Sequence, residues 1–274
     1  MILNTGSRTD IPAYFSDWFY KRIEEGYVMV RNPYYPEQVT RYVLNPSVVD
    51  VLVFCTKNPQ PMISRLERLS TYDMFWFVTI TPYGREIEPF VPPKDKVIES
   101  FRQLSEMTGR EKMSWRYDPV FITEKYSVDY HIACFAEMTE KLRGYTGQCV
   151  VSFLDLYEKT KRNFREARGV TRDEQERIIE AFAGIAEANE LQVPKKKTAR
   201  EACSCLLGAD IGVYNTCGHG CLYCYANYDR KSVEENRKRH DVNSPLLIGH
   251  LKETNHVKEA QQKSFKDAQM RLFL

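Results

Sequence analysis

The chain has 274 residues, 43% of them apolar. At this length roughly three quarters of the unfolded surface can be buried, so disorder is excluded as the main state, and both two domains and one (β/α) barrel remain open. Thirty-nine Lys and Arg against 37 Asp and Glu leave a net charge of +2, too small an imbalance to point to nucleic acid or an acidic membrane surface. No apolar run is long enough to span a bilayer, and the strongest, Val48 to Phe54, is broken by Asp50. Met1-Ile2-Leu3-Asn4 lacks the parts of a secretory signal, so the cytoplasm is expected.

In chain order, β-branched or aromatic runs of strand length fall at Ile2–Thr5, Tyr27–Arg31, Val49–Cys55, Met74–Ile80, Lys112–Tyr117, Cys149–Leu154, Leu191–Val193 and Ile211–Asn215. Between most of them, apolar residues three or four apart predict helices over Phe15–Glu25, Pro61–Leu69, Lys94–Thr108, Val128–Leu142 and Thr171–Asn189. Thr171 with Glu174 reads as a capping box, and Pro93 as the boundary before the third of the longer helices.

Alternating strands and helices require parallel pairing with right-handed crossovers, in a doubly wound sheet or a closed or partial barrel. Asn4-Thr5-Gly6-Ser7-Arg8-Thr9 lacks the second and third glycines of a dinucleotide fingerprint, which favours the barrel. Polar clusters also end nearly every strand: Ser7-Arg8-Thr9-Asp10, Arg31-Asn32, Thr56-Lys57-Asn58, Thr79 and Thr81, Arg116-Tyr117-Asp118, Asp155 and Tyr157. A barrel brings these ends to one rim, where active sites lie, although each residue alone reads equally well as a cap or turn. The expected architecture is a full or partial TIM-like (β/α) barrel over residues 1–228 with a cysteine loop at 216–228, and a docked tail over 229–274. Lys231–Arg239 and Lys195-Lys196-Lys197 read as solvated charge runs.

Of eight cysteines, Cys55, Cys134 and Cys149 are scattered, while Cys203, Cys205, Cys217, Cys221 and Cys224 crowd together. In a reducing compartment such a cluster reads as ligands or catalysts before disulfides. Cys217-Gly-His-Gly-Cys221-Leu-Tyr-Cys224 has the spacing C-x3-C-x2-C directly after a predicted strand. Three thiolates on one tight loop can hold three corners of a [4Fe–4S] cluster and leave one iron open. Gly218 and Gly220 free the backbone to wrap it. A structural zinc site is the rival, completed by His219 or by Cys203 and Cys205; a non-catalytic barrel that keeps a cluster is another.

This spacing, with Tyr223 before the last cysteine, resembles the signature of radical S-adenosylmethionine enzymes. The longer string from Val213 to Asn227, with its Tyr-Cys-Tyr-Ala ending, is similar to their spore photoproduct lyase-like branch. In that family the signature follows the first strand, whereas here it lies late in the chain. Ser7–Pro12 resembles the family's Thr-Asp segment after the second strand, Thr56–Pro59 its Thr-Lys segment, and Glu88-Pro89 with Pro92-Pro93 its Glu-Pro-x-x-Pro stretch. The order implies a circular permutation, with a last strand at 211–215 beside the first at 2–5. The whole chain also resembles the domain of unknown function 1848 family, through its opening Ser-Arg-Thr-Asp-Ile-Pro, its Trp115-Arg-Tyr-Asp-Pro119 and its closing cysteines.

The resemblance implies an enzyme whose cluster, held by Cys217, Cys221 and Cys224, chelates S-adenosylmethionine, so that reduction releases a 5′-deoxyadenosyl radical to abstract hydrogen from an unknown substrate. Tyr223 is then expected near the adenine, and Ser7, Arg8, Thr9 and Asp10 near the methionine moiety, although the usual Gly-Gly-Glu is absent. A reductant such as flavodoxin or ferredoxin is implied as partner. Arg116 and Asp118 are candidates to bind a polar substrate, or else a pair bracing the rim, and Lys57 to bind a carboxylate or phosphate. Cys205, with Cys203, is a candidate thiol donor or second ligand, or else a packing residue. The lyase-like branch admits nucleic acid as a substrate, but no basic stripe interleaved with aromatics accompanies it.

Overall fold

The computed structural model describes residues 1–156, 158–191 and 208–266. Its elements are β1 (Ile2–Asn4), α1 (Ile11–Tyr14), α2 (Ser16–Glu25), β2 (Tyr27–Arg31), β3 (Gln38–Val43), β4 (Val51–Thr56), α3 (Gln60–Ile63), β5 (Met74–Thr79), α4 (Lys94–Thr108), β6 (Met113–Val120), α5 (Val128–Leu142), β7 (Cys149–Phe153), α6 (Glu158–Asn163), α7 (Arg172–Ala188), β8 (Ala209–Asp210), α8 (Arg230–Lys238) and β9 (His256–Glu259). The predicted starts of α4 and α7 hold because the signals are local: Pro93 precedes α4, and Thr171 and Glu174 exchange both bonds of a capping box at α7, whereas the helix expected over Pro61–Leu69 is split into α3 and a 3-10 turn at Leu66–Leu69.

Six strands form one parallel sheet in the order β7-β6-β5-β4-β1-β8. Among the described residues its edges, β7 and β8, do not pair, so the sheet is open and the full TIM-like barrel of the two expected forms is not shown. One of the expected strands accounts for part of the difference. Tyr27–Arg31 leaves the sheet to pair antiparallel with β3, and β3 takes β9 on its other side, making a separate three-stranded sheet. Leu191–Val193 falls mostly outside the described residues, and Leu191 itself lies in no strand. What remains is an open α/β sheet flanked by helices.

The pleat sorts side chains between the two faces of this sheet. Leu52, Phe54, Trp76, Val78, Trp115 and Tyr117 are fully buried against the helices. Phe54 stacks on Trp76 with ring centroids 4.0 Å apart, and Trp115 stacks on Phe135 of α5, which stacks in turn on Phe182 of α7 at 3.8 Å. Each such aromatic contributes about 1.5–3 kcal/mol by burial. The alternate residues, including Val53, Cys55, Phe77, Thr79 and Arg116, share the opposite face and are only half-buried.

The last strand of the sheet lies beside the first, with Leu3 opposite Ala209 and Asn4 opposite Asp210. It ends before the expected 211–215, which is irregular. Beyond Tyr228 the chain packs back onto the fold. The indole N–H of buried Trp18 donates to the Ser244 carbonyl at 2.8 Å, Met29 N donates to the Pro245 carbonyl at 2.9 Å, and Leu246 and Leu247 are buried. Lys231–Arg239 is largely the exposed helix α8, anchored by Val233. No helix of the described residues is long and apolar enough to cross a membrane.

Candidate functional site: a thiol-bearing loop at the sheet edge

Parallel strands end together, so the loops after β1, β4, β5 and β8 meet at one edge of the sheet. The loop after β8 carries Cys217, Cys221 and Cys224, and main-chain bonds join it to its neighbours. Phe90 N donates to the His219 carbonyl at 3.2 Å, and Leu222 N to the Ile87 carbonyl at 3.1 Å. Gly220 has φ of +69°, and a Cβ there would sit 3.0 Å from the Phe90 ring. A Cβ on Gly218 would collide with the Tyr14 ring. Both positions of the expected wrapping backbone therefore require glycine, one for its dihedral and one for close approach.

Asp10 is the first of two hubs. One carboxylate oxygen caps α1 by accepting from Ala13 N at 3.0 Å. The other accepts from Lys57 N at 2.8 Å, and from His219 Nε2–H, also at 2.8 Å. A carboxylate only accepts, so His219 Nδ1 is left to accept the Tyr14 hydroxyl at 3.0 Å. His219 is 3% exposed with both nitrogens engaged. It is thus a strut between loops, with both ring nitrogens engaged by Asp10 and Tyr14.

Glu88 is the second hub, 1% exposed. Its Oε1 accepts from Lys57 Nζ at 2.8 Å, from Thr81 Oγ1 at 2.7 Å and from the Tyr223 hydroxyl, while Oε2 pairs with Lys94 Nζ. Burial opposes the Glu88 charge, yet the two ammonium groups and their hydrogen bonds outweigh it and hold the carboxyl at about 2. Burial also opposes the charge of Lys57, but Glu88 and the nearby Cys221 hold its pKa above the usual value. On Lys94 burial prevails and the pKa falls. Two cations share one buried carboxylate behind the thiol loop. Lys57 also lies 5.6 Å from the Tyr223 ring centroid.

The six described cysteines are all thiols. Burial, reinforced by Asp10 and by the other two loop cysteines, pushes the Cys217 thiol well up. Burial pushes Cys221 up to about 12; Lys57 favours its thiolate, while Glu88 and Cys224 oppose it. The three sulfurs thus lie within electrostatic reach of one another. Among the described residues, however, no three His, Cys, Asp or Glu side chains gather as ligands of one metal ion.

The remaining expected site residues sit on the same edge in more committed roles. Arg8 pairs with Asp210 at 3.0 Å, tying β1 to β8, and Thr216 donates to Thr9 at 2.8 Å. Ser7 accepts from Asn4 at its hydroxyl and from the Tyr225 hydroxyl at its carbonyl. Arg116 pairs with Asp118, which also accepts from Ser152, the bracing geometry. The Arg116 guanidinium also bonds the Cys55 thiol on the half-buried sheet face. Tyr223 is 9% exposed and packs in a second apolar cluster with Tyr83, Phe121, Tyr126 and Phe164. Cys203, Cys205, Tyr157 and Lys195–Lys197 lie outside the described residues.

The sequence alone does not single out Tyr14, Lys94 or Ser152, and Tyr225 stands out only as part of the Tyr-Cys-Tyr-Ala ending. Glu88 appeared only within a proline-rich motif, and no local signal marks it as a shared counter-ion.

Fold and site together define an open parallel α/β protein with three cysteines on a loop at the shared edge of its sheet, braced by two buried carboxylates. The chain belongs to the family described as Domain of unknown function (DUF1848), which it matches over residues 2–195 and 191–226. No curated protein and no solved structure matches it.

Proposed function

We propose that the chain is a radical S-adenosylmethionine-type enzyme in which Cys217, Cys221 and Cys224 hold a [4Fe–4S] cluster. The supporting observation is that the C-x3-C-x2-C loop, though late in sequence, lies at the same sheet edge as Asp10, Lys57 and Arg116. A cuboidal cluster binds each cysteine through a different iron, so its ligands need not converge on one point as the ligands of a single ion must. When bound, the cluster supplies the electron that cleaves S-adenosylmethionine to a 5′-deoxyadenosyl radical.

This chain's own residues supply position and exclusion. Asp10 and His219 fix the loop against α1 and the end of β4. Lys57 and Lys94, only half neutralised by Glu88, set a positive potential beside Cys221 that favours its thiolate. The Tyr83, Phe121 and Tyr223 rings keep water from the rear of the loop. Arg116, Asp118, Ser152 and Cys55 give the half-buried sheet face a polar character suited to a polar substrate. A flavodoxin or ferredoxin is the reductant of this reading.

Anaerobic reconstitution with iron and sulfide is expected to give a brown protein with broad absorption near ~400 nm. With dithionite and S-adenosylmethionine it is expected to form 5′-deoxyadenosine, and Cys217→Ala to abolish this. A colourless protein holding one tight zinc overturns the cluster. A brown protein with equal 5′-deoxyadenosine yields from wild type and Cys217→Ala overturns the enzyme and leaves a non-catalytic cluster protein.

A further inference from the structure

Away from the thiol loop, the β2–β3 hairpin and the segment after α8 enclose a cleft of about 600 Å³, within the range that holds small ligands. Its walls carry four permanent cations, Arg31, Lys238, Arg239 and Lys252, against two carboxylates, Glu37 and Asp241. Asp241 already faces His250 at 3.7 Å. The cleft therefore has a surplus of two positive charges.

The two arginines carry the argument. Arg31 donates to the main-chain carbonyls of Pro36 and His250, which fix its guanidinium without neutralising it. Arg239 ends α8, and its main chain is held by Asn236 and Gly249. Among the described residues its side chain makes no hydrogen bond or ion pair. Burial, together with the neighbouring Arg239, pulls the Arg31 pKa below its usual value. The fold thus holds two guanidinium groups on one cleft within repulsive range, and among the described residues neither makes an ion pair with a carboxylate. Such a pair is stabilised by a doubly charged oxyanion, whose oxygens match the planar fork of each arginine.

We propose that this cleft binds a small phosphate- or diphosphate-bearing anion through Arg31 and Arg239. Among the described residues no Phe, Tyr or Trp lines it, so they offer no ring on which the bases of a single strand would stack. The exposed Tyr34 and Tyr35 stand on the same hairpin outside the lining. The proposal is independent of the cluster reading.

The test is calorimetric titration of the full chain with sodium pyrophosphate and, separately, inorganic phosphate, at ionic strength held constant with chloride. Arg239→Ala is the main variant, because among the described residues its side chain makes no hydrogen bond or ion pair, and circular dichroism checks that it remains folded. Saturable binding of pyrophosphate that weakens at least tenfold in Arg239→Ala, and is unchanged in Lys96→Ala on distant α4, supports the site. Absence of saturation, or equal affinities for wild type and Arg239→Ala, overturns it. So does binding of a single-stranded oligonucleotide when pyrophosphate does not bind.

Discussion

Replacing Glu88 with Gln keeps the shape of the side chain and removes the one charge that two buried ammonium groups share. The carboxyl sits at about 2 in the folded protein against an ordinary 4.5, a difference worth about 3 kcal/mol at neutral pH. Breaking a buried ion pair by removing one partner costs about 3–5 kcal/mol, so the two routes agree on a loss near 3 kcal/mol. The protein has three tryptophans, all fully buried, so urea unfolding followed by their fluorescence reads the change directly. Glu88→Gln is expected to lower the midpoint at an unchanged slope. Adding Lys94→Met to Glu88→Gln is expected to restore part of the loss, because it removes an uncompensated cation.

The pH dependence gives a second check on Glu88. Its folded pKa is depressed, so its contribution is complete above pH 4.5 and is lost as pH falls towards 2. Wild type should show this acid loss, and Glu88→Gln should lack that share of it. A loss below about 1 kcal/mol in Glu88→Gln, or identical acid profiles for the two proteins, refutes the shared-counter-ion account.

Buried His131 accepts the Tyr117 hydroxyl and donates to the Phe121 carbonyl, and burial holds its pKa at about 4. The unfolded chain therefore takes up a proton near pH 6.5 that the folded chain refuses, and stability is expected to fall from there towards pH 4; an NMR titration of His131 with a midpoint near 6.5 would contradict this. Phe135, stacked between Trp115 and Phe182, is expected to cost about 3–5 kcal/mol when cut to Ala, measured by urea unfolding. Cys149 is fully buried with its thiol well above the usual pKa, so it should resist iodoacetamide in native protein and react on unfolding; rapid native labelling refutes its placement. Asp10→Ala removes the α1 cap and the His219 partner together. It is expected to lower the iron retained after reconstitution and to change the electron paramagnetic resonance line shape of what remains, and retention with an unchanged signal refutes its positioning role.

The sequence by itself determined what depends on neighbours along the chain. The helices at 94–108 and 128–142 follow from apolar spacing and their starting residues, and the alternation of strands and helices predicts parallel pairing. The glycines of the cysteine loop were legible because the C-x3-C-x2-C spacing calls for a tightly wrapping backbone, although the Tyr14 ring that leaves no room for a side chain at 218 comes from far away in the chain. Only the tertiary structure decided whether the sheet closes, since Tyr27–Arg31 has the same local pattern whether it pairs in the main sheet or turns into a hairpin with β3. The hubs were hidden for the same reason. Glu88 gathers Lys57 and Tyr223, and Asp10 gathers His219, from parts of the chain far apart in sequence. A buried carboxylate's partners are chosen by where strands end in space, and residue spacing along the chain carries no record of that choice.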